Sequence, residues 1–345
     1  MGALHDGGAH VMVTGGAGYI GSRLTGELLA RGCWVTVVDT LNFGGEPLWA
    51  YWWQPRFTFL RGDVCQEGVL LRAARAAAQV GAPPPAALIH LAAVVGFPAC
   101  GQVPQEQVWR LNVEAVGQVF EQAEELGVER FIFASTYSNY GVGGRDALLT
   151  EESPLRPQSL YARSKIAAEQ KLLDRKAASC APLIFRFATL YGPSPRMRFD
   201  LIVNQFVLEA YTKGELILFQ GDYGRSFVHI GDAIDGILLG LEAPIAKIRG
   251  QIYNLGSEEG NYTKEAIVSL ICQQLPRTKV RYQDISFGGD MRDMRLSFAK
   301  VRRELGFRAQ RTVQQGIAEI LEGLRSGLLA EPFAPRYRNA PMMVQ

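Results

Sequence analysis

The sequence has little of what would place a protein at a membrane, on a nucleic acid or around a metal. Its 345 residues contain no apolar run long enough to span a bilayer. The Trp-rich stretch PLWAYWWQPRF at 47–57 is too short and too interrupted for that, and reads as a packed or partly exposed loop. Charge of one sign is not in excess: the net charge is +2, which gives no reason to expect a nucleic acid or an anionic membrane as partner. The four His residues do not cluster, and His90 in ALIHLAA reads as a strand residue. Cys33, Cys65, Cys100, Cys180 and Cys272 are odd in number, widely spaced and without a CxxC pair. A disulfide framework and a zinc site are therefore not expected, and a cytoplasmic setting is. The opening MGALHDGGAH lacks the apolar core of a signal peptide, so 1–9 read as a flexible tail.

What is present is the balance of a globular chain, nearly half apolar and a fifth charged. The first half alternates strand and helix: HVMVTG, then YIGSRLTGELLARG with helical spacing of Ile20, Leu24 and Leu28, then CWVTVVD, RFTFL and AALIHLAA. A long helix is expected over 104–127, a strand at RFIFAST, a helix over 157–176 and a strand at PLIFRFATLYG. The strands are continuously apolar, as a sheet covered on both faces requires. This pattern predicts an α/β fold, a Rossmann-type doubly wound parallel sheet with a smaller mixed α/β C-terminal substrate lobe. The expected division is a dinucleotide-binding domain at 10–190, a substrate lobe mainly at 191–330 and a tail at 331–345. Some segments of 225–256 are expected to return to the first domain. In the second half, helices are expected at 200–213 and from Asp232, with strands ELILFQ, RSFVHI, QIYNLG and KVRYQ.

VMVTGGAGYIGS places Gly15, Gly18 and Gly21 between a strand and a helix. Gly15 permits the turn, Gly18 lets backbone approach a diphosphate and Gly21 lets helix pack on strand. The helix N-terminus supplies free N–H groups and partial positive charge. Asp39 ends the next strand at the distance where a carboxylate meets the adenosine ribose diol, which favours NAD over NADP. Thr136 closes a strand, and Tyr161 and Lys165 lie one helical turn apart on one face. Tyr titrates near 10, so acting as a base near neutrality takes roughly 4 kcal/mol of selective stabilisation of its anion, which a neighbouring ammonium can supply. The set suits removal of a proton from an alcohol whose hydride leaves to NAD.

TGGAGYIGS, RGDV, HLAA, LNVEA, FASTYSNYG, YARSK, RFATLYGP, GRSFVHIGDA and NLGSEEGNYT together resemble the extended short-chain dehydrogenase/reductase family, and within it the NAD-dependent sugar-nucleotide epimerases and dehydratases, over about 10–325. The resemblance implies Thr136, Tyr161 and Lys165 as the catalytic set. For NAD it implies Gly15, Gly18, Tyr19, Ile20, Gly21, Asp39, Asp63, Val64, Leu91, Ala92, Ala93 and Asn112, with Tyr161 and Lys165. For a nucleotide-sugar substrate it implies Thr136, Tyr137, Thr189, Asn204, Arg225 and Arg292. Thr189 stands where the family often has Asn. Tyr137 and Ser138 stand where 4,6-dehydratases carry Asp-Glu and where sugar-acid decarboxylases carry a Glu at the second position.

The expected activity is therefore nucleotide-sugar epimerisation, with C4 as the expected centre and Tyr161 as base. An NAD(P)H-dependent keto-sugar nucleotide reductase and a non-catalytic NAD-binding regulator are the alternatives. Arg196 and Arg198 are expected to be solvated loop charges, with pairing to a uronate carboxylate as the other reading. The family often forms a homodimer through two helices, here 104–127 and 157–176.

Overall fold

The computed structural model describes residues 8–141, 148–175, 177–283 and 294–339. Seven parallel strands form the main sheet: β1 (His10–Thr14), β2 (Trp34–Asp39), β3 (Phe57–Arg61), β4 (Pro85–His90), β5 (Arg130–Thr136), β7 (Ala181–Phe187) and β11 (Gln251–Leu255). Their order is β11-β7-β5-β4-β1-β2-β3. The order reverses between β1 and β4, and open sheets of this kind bind ligands at that crevice. Every residue of β1 and of β7 is buried, the outcome of covering both faces with helices. β6 (Leu148–Leu149) pairs with β14 (Arg295–Leu296).

Helices α1 (Tyr19–Ala30), α2 (Val69–Gln79), α3 (Phe97–Gln102), α4 (Gln105–Trp109), α5 (Ala115–Glu125) and α6 (Leu160–Leu173) belong to this first lobe. The single helix expected over 104–127 is α4 and α5 joined by a π-helical turn, Arg110–Glu114. Asn112 lies in that turn. Its Oδ1 accepts from Val94 N at 2.8 Å, and its Nδ2 donates to Val94 O at 3.0 Å and Ser164 Oγ at 3.1 Å. The wider turn presents Asn112 to a loop and to α6 together, a use typical of π-bulges at functional sites.

After β7 the chain leaves the main sheet. β8 (Thr189–Tyr191), β10 (Gly224–His229) and β12 (Asn261–Thr263) form a three-stranded sheet, and β9 (Glu215–Phe219) pairs with β13 (Lys279–Gln283). α7 (Ile202–Lys213), α10 (Lys264–Gln274) and α12 (Val313–Arg325) surround a separate core built on Val207, Ile267 and Ile317. β11 rejoins the main sheet beside β7, and α8 (Ile230–Glu242) packs on its face through Ile234 and Ile237. The helix expected from Asp232 starts two residues earlier because the His229 ring accepts from Gly231 N and caps it. α9 (Ile245–Ile248) and α11 (Ala299–Leu305) complete the helices.

The Trp-rich stretch is a short 3-10 helix, Glu46–Tyr51, anchored by buried Leu48, with Trp49, Trp52 and Trp53 exposed. Among the described residues no helix is long and apolar enough to cross a membrane.

Candidate active site

β1 ends at Thr14 and the chain turns through Gly15, whose φ is +71°. A Cβ there would stand 2.7 Å from Ala92 N, and one on Gly21 would stand 2.4 Å from Gly15 O. Only glycine fits either position, and the result is a shallow cradle of bare backbone. The N-terminus of α1 has no side-chain cap, so its first N–H groups remain available to an anion. Asp39 holds the rim: Oδ2 accepts from Ala17 N at 3.0 Å and Oδ1 from Leu41 N at 2.8 Å. Burial raises the Asp39 pKa, and these backbone donors oppose the rise. Each carboxylate oxygen keeps acceptor capacity for a ribose hydroxyl. Tyr19 contributes backbone to the cradle, while its hydroxyl donates to Gly192 O at 2.6 Å and ties α1 to the second lobe.

The other end of the cleft is built by β5 and α6. Ser159 caps α6 by accepting from Ala162 N at 3.1 Å, which fixes where Tyr161 and Lys165 begin to share a face. Lys165 is buried, donates to Ala134 O at 2.8 Å and lies 4.5 Å from the centre of the Phe133 ring. Burial lowers its pKa to about 8. Its remaining N–H groups can meet a ribose diol. Thr136 Oγ1 accepts from Ser138 N and donates to Ser138 Oγ, both at 3.1 Å. His90 ends β4 with Nδ1 2.7 Å from Thr14 Oγ1. Burial, with Lys165 nearby, lowers its pKa to about 3, so it stays a neutral strand residue.

One cavity of about 1700 Å³ joins the two ends. Of the residues expected to hold NAD, Gly15, Gly18, Tyr19, Ile20, Gly21, Asp39, Asp63, Val64, Leu91, Ala92, Ala93, Tyr161 and Lys165 line it. Thr136, Tyr137, Thr189 and Arg225 also line it. Tyr137 and Thr189 share a hydrogen bond of 2.7 Å between their hydroxyls. Asn112 and Asn204 are not part of the cavity lining. Asn112 is used as a brace, as described above. Asn204 is fully buried, with Oδ1 accepting from Gly192 N and Nδ2 donating to Tyr19 OH and Arg198 O. Arg292 lies outside the described residues. Trp49, Trp52 and Trp53 stand apart from the lining.

The expectation for Arg196 and Arg198 is overturned. Both are buried and line the cavity. Arg198 grips Asp200 bidentately at 3.0 and 2.7 Å, and Arg196 lies 4.1 Å from the centre of the Phe43 ring. Phe333, Arg338 and Asn339, from the segment read as a tail, line the cavity as well. Sequence reading also missed a buried ion pair between Glu169 and Arg186 behind Ser135. A signal for it existed: Arg186 interrupts the apolar run PLIFRF, and a buried Arg needs an acid.

Residues 11–256 match the model of the NAD dependent epimerase/dehydratase family. The chain is 29% identical over 321 residues to a dTDP-glucose 4,6-dehydratase of Streptomyces griseus, covering 90% of this chain and 92% of that one. It is 26% identical to a UDP-glucose 4-epimerase of Bacillus subtilis, covering 90% and 95%. The solved structure of MoeE5 in complex with UDP-glucuronic acid and NAD superposes with a TM-score of 0.76 at 27% identity, covering 92% of this chain and 100% of that one.

Proposed function

Since the chain belongs to the NAD-dependent epimerase/dehydratase family, with NAD as cofactor, we propose that it interconverts two epimers of a nucleotide sugar at C4. The observation that supports this most is the shared lining of one cavity by Thr136, Tyr161 and Lys165, with Tyr137 and Ser138 in the positions after Thr136. The Tyr137 hydroxyl is engaged by Thr189. Neither residue after Thr136 is an acid able to drive elimination of water, so a ketone formed here is set up to be reduced again.

The glycine cradle and the α1 N-terminus would hold the dinucleotide diphosphate, Asp39 the adenosine ribose and Lys165 the nicotinamide ribose. Bound NAD supplies a hydride acceptor that can return the same hydride. Tyr161, whose anion the Lys165 ammonium would favour, takes the proton of the 4-hydroxyl. Thr136 turns its hydroxyl from Ser138 to the same substrate oxygen and fixes its position. After the sugar presents its other face, Tyr161 gives the proton back. The buried Arg198 beside this end makes a uronate-bearing sugar nucleotide a necessary member of any substrate panel.

The reading includes a homodimer formed through α5 and α6. Its direct test is Tyr161→Phe, expected to lower turnover by about a thousandfold or more while NAD stays bound. Near-normal turnover of that variant would remove Tyr161 from the chemistry.

A further inference from the structure

The C-terminal segment is clipped onto the loop that carries Arg196 and Arg198. Phe199 N donates to Tyr337 O at 2.8 Å, and Arg338 Nη1 donates to Phe199 O at 2.9 Å. Arg196 Nη2 donates to Arg338 O at 3.2 Å, and Asn339 N donates to Asp200 Oδ2 at 3.2 Å. Asn339 Nδ2 reaches across to Val95 O of the first lobe at 3.3 Å. The segment is therefore a wall of the cleft, joined to both lobes.

Three arginines line the cavity at this wall, and all three are more than nine-tenths buried: Arg196 at 2%, Arg338 at 5% and Arg198 at 8% exposure. One carboxylate, Asp200, ion-pairs within the group, and it is taken bidentately by Arg198. Among the described residues Asp39 also faces Arg196 and Glu209 also faces Arg338, and each is hydrogen-bonded elsewhere. Asp39 accepts from the cradle backbone, and Glu209 Oε1 accepts from Gln205 Nε2 and Lys213 Nζ. Arg196 Nε, and both Nε and Nη2 of Arg338, find no acceptor among the described residues. Burial lowers the pKa of both arginines, that of Arg196 to about 10. Buried charge without a partner is costly, and buried guanidinium N–H groups without acceptors add to that cost. An anionic ligand seated against these side chains would offset the cost of their buried charge.

We infer that Arg196 and Arg338 form an anion site for a diphosphate ester, to which the C-terminal segment contributes a binding residue. A planar guanidinium suits phosphate oxygens, which it can meet bidentately. Two diphosphates belong to the activity proposed above, and the inference rests on that reading only for the second. One is in the dinucleotide, whose cradle lies on α1; Arg196 N donates to Ser22 Oγ of that helix at 3.3 Å. The other is in the sugar nucleotide, on the side of Arg225 and α7.

The test uses the full chain as wild type, Arg338→Met, Arg196→Met and Arg338→Lys. Titration calorimetry with ADP-ribose probes the dinucleotide diphosphate. Titration with UDP, dTDP, GDP and CDP probes the substrate diphosphate. Adenosine and the matching nucleosides, followed by ligand-observed NMR, report any general damage to the cleft. Each Met variant is expected to bind one diphosphate roughly ten- to a hundredfold more weakly, with nucleoside binding unchanged and partial recovery in Arg338→Lys. Loss confined to ADP-ribose places the site on the cofactor, and loss confined to a nucleoside diphosphate places it on the substrate. Unchanged binding of every diphosphate, or equal loss for the nucleosides, overturns the inference. The ADP-ribose arm needs no turnover, so it stands or falls apart from the epimerase reading.

Discussion

Arg186 on β7 and Glu169 on α6 form an ion pair of 2.6 Å with both side chains 3% exposed. The same carboxylate accepts from Ser135 and from Asn139 Nδ2 at 2.8 Å, and Arg186 Nη1 donates to Tyr140 OH at 3.0 Å. Tyr140 OH in turn donates to Asn254 Oδ1 at 2.6 Å on β11. One buried network thus fixes the end of β5, which carries Thr136, against the helix that carries Tyr161 and Lys165. Removing one partner leaves a buried charge. Glu169→Gln is expected to destabilise the fold by about 3–5 kcal/mol, and Glu169→Gln with Arg186→Met by less than the sum of the single changes. Urea unfolding of the four proteins checks this, and simple additivity would show the two groups to be independent.

Lys165 gives a pH dependence with a definite sign. Its folded pKa of about 8 lies below the ordinary 10.5, so the unfolded chain binds more protons between those values. Stability of the dinucleotide-free protein therefore rises with pH across that window. At pH 7 the buried ammonium costs roughly 3 kcal/mol. Lys165→Met is expected to be more stable than wild type at pH 7, with the gap closing towards pH 10.5. Unfolding measured at both pH values decides it; a variant less stable at pH 7 would mean that the Lys165–Ala134 hydrogen bond outweighs the burial.

Asp39 is proposed to meet the adenosine ribose diol. A carboxylate there repels a 2′-phosphate, so Asp39→Asn is expected to raise NADP affinity relative to NAD by about tenfold or more. Competitive binding of the two dinucleotides measures the ratio. An unchanged ratio would reduce Asp39 to its backbone bonds with Ala17 and Leu41.

The main sheet and the cradle were legible because local rules produce them. Apolar runs of strand length, Gly15 and Gly21 at positions no side chain fits, and Asp39 one βαβ unit later are all sequence-local. Tyr161 and Lys165 were legible for the same reason, since helical spacing alone puts them on one face. Asn204, Arg196, Arg198 and Arg338 were not. Three of them are defined by a partner far along the chain: Asn204 by Tyr19, Arg196 by Phe43, and Arg338 by Phe199; Arg198 pairs with Asp200 two residues on, and only the fold buries it. A charged residue in a loop reads as solvated until the fold shows what covers it. The π turn at Arg110–Glu114 left no mark in an unbroken helical pattern.

The proposed homodimer would form through the first lobe. α5 and α6 pack together and are expected to meet their copies in a second chain, giving a solution mass near twice 38.0 kDa. Sedimentation at micromolar concentration reads it, and a monomer would remove that interface.

The most direct measurement is NMR of the purified protein with UDP-, GDP-, CDP- and dTDP-sugars, uronates included, and no added cofactor. An epimerase converts one sugar nucleotide into an equilibrium mixture of two epimers, seen as a second anomeric signal. Absence of conversion without cofactor, together with turnover of a keto-sugar nucleotide once NADH or NADPH is added, would contradict the epimerase and establish a reductase.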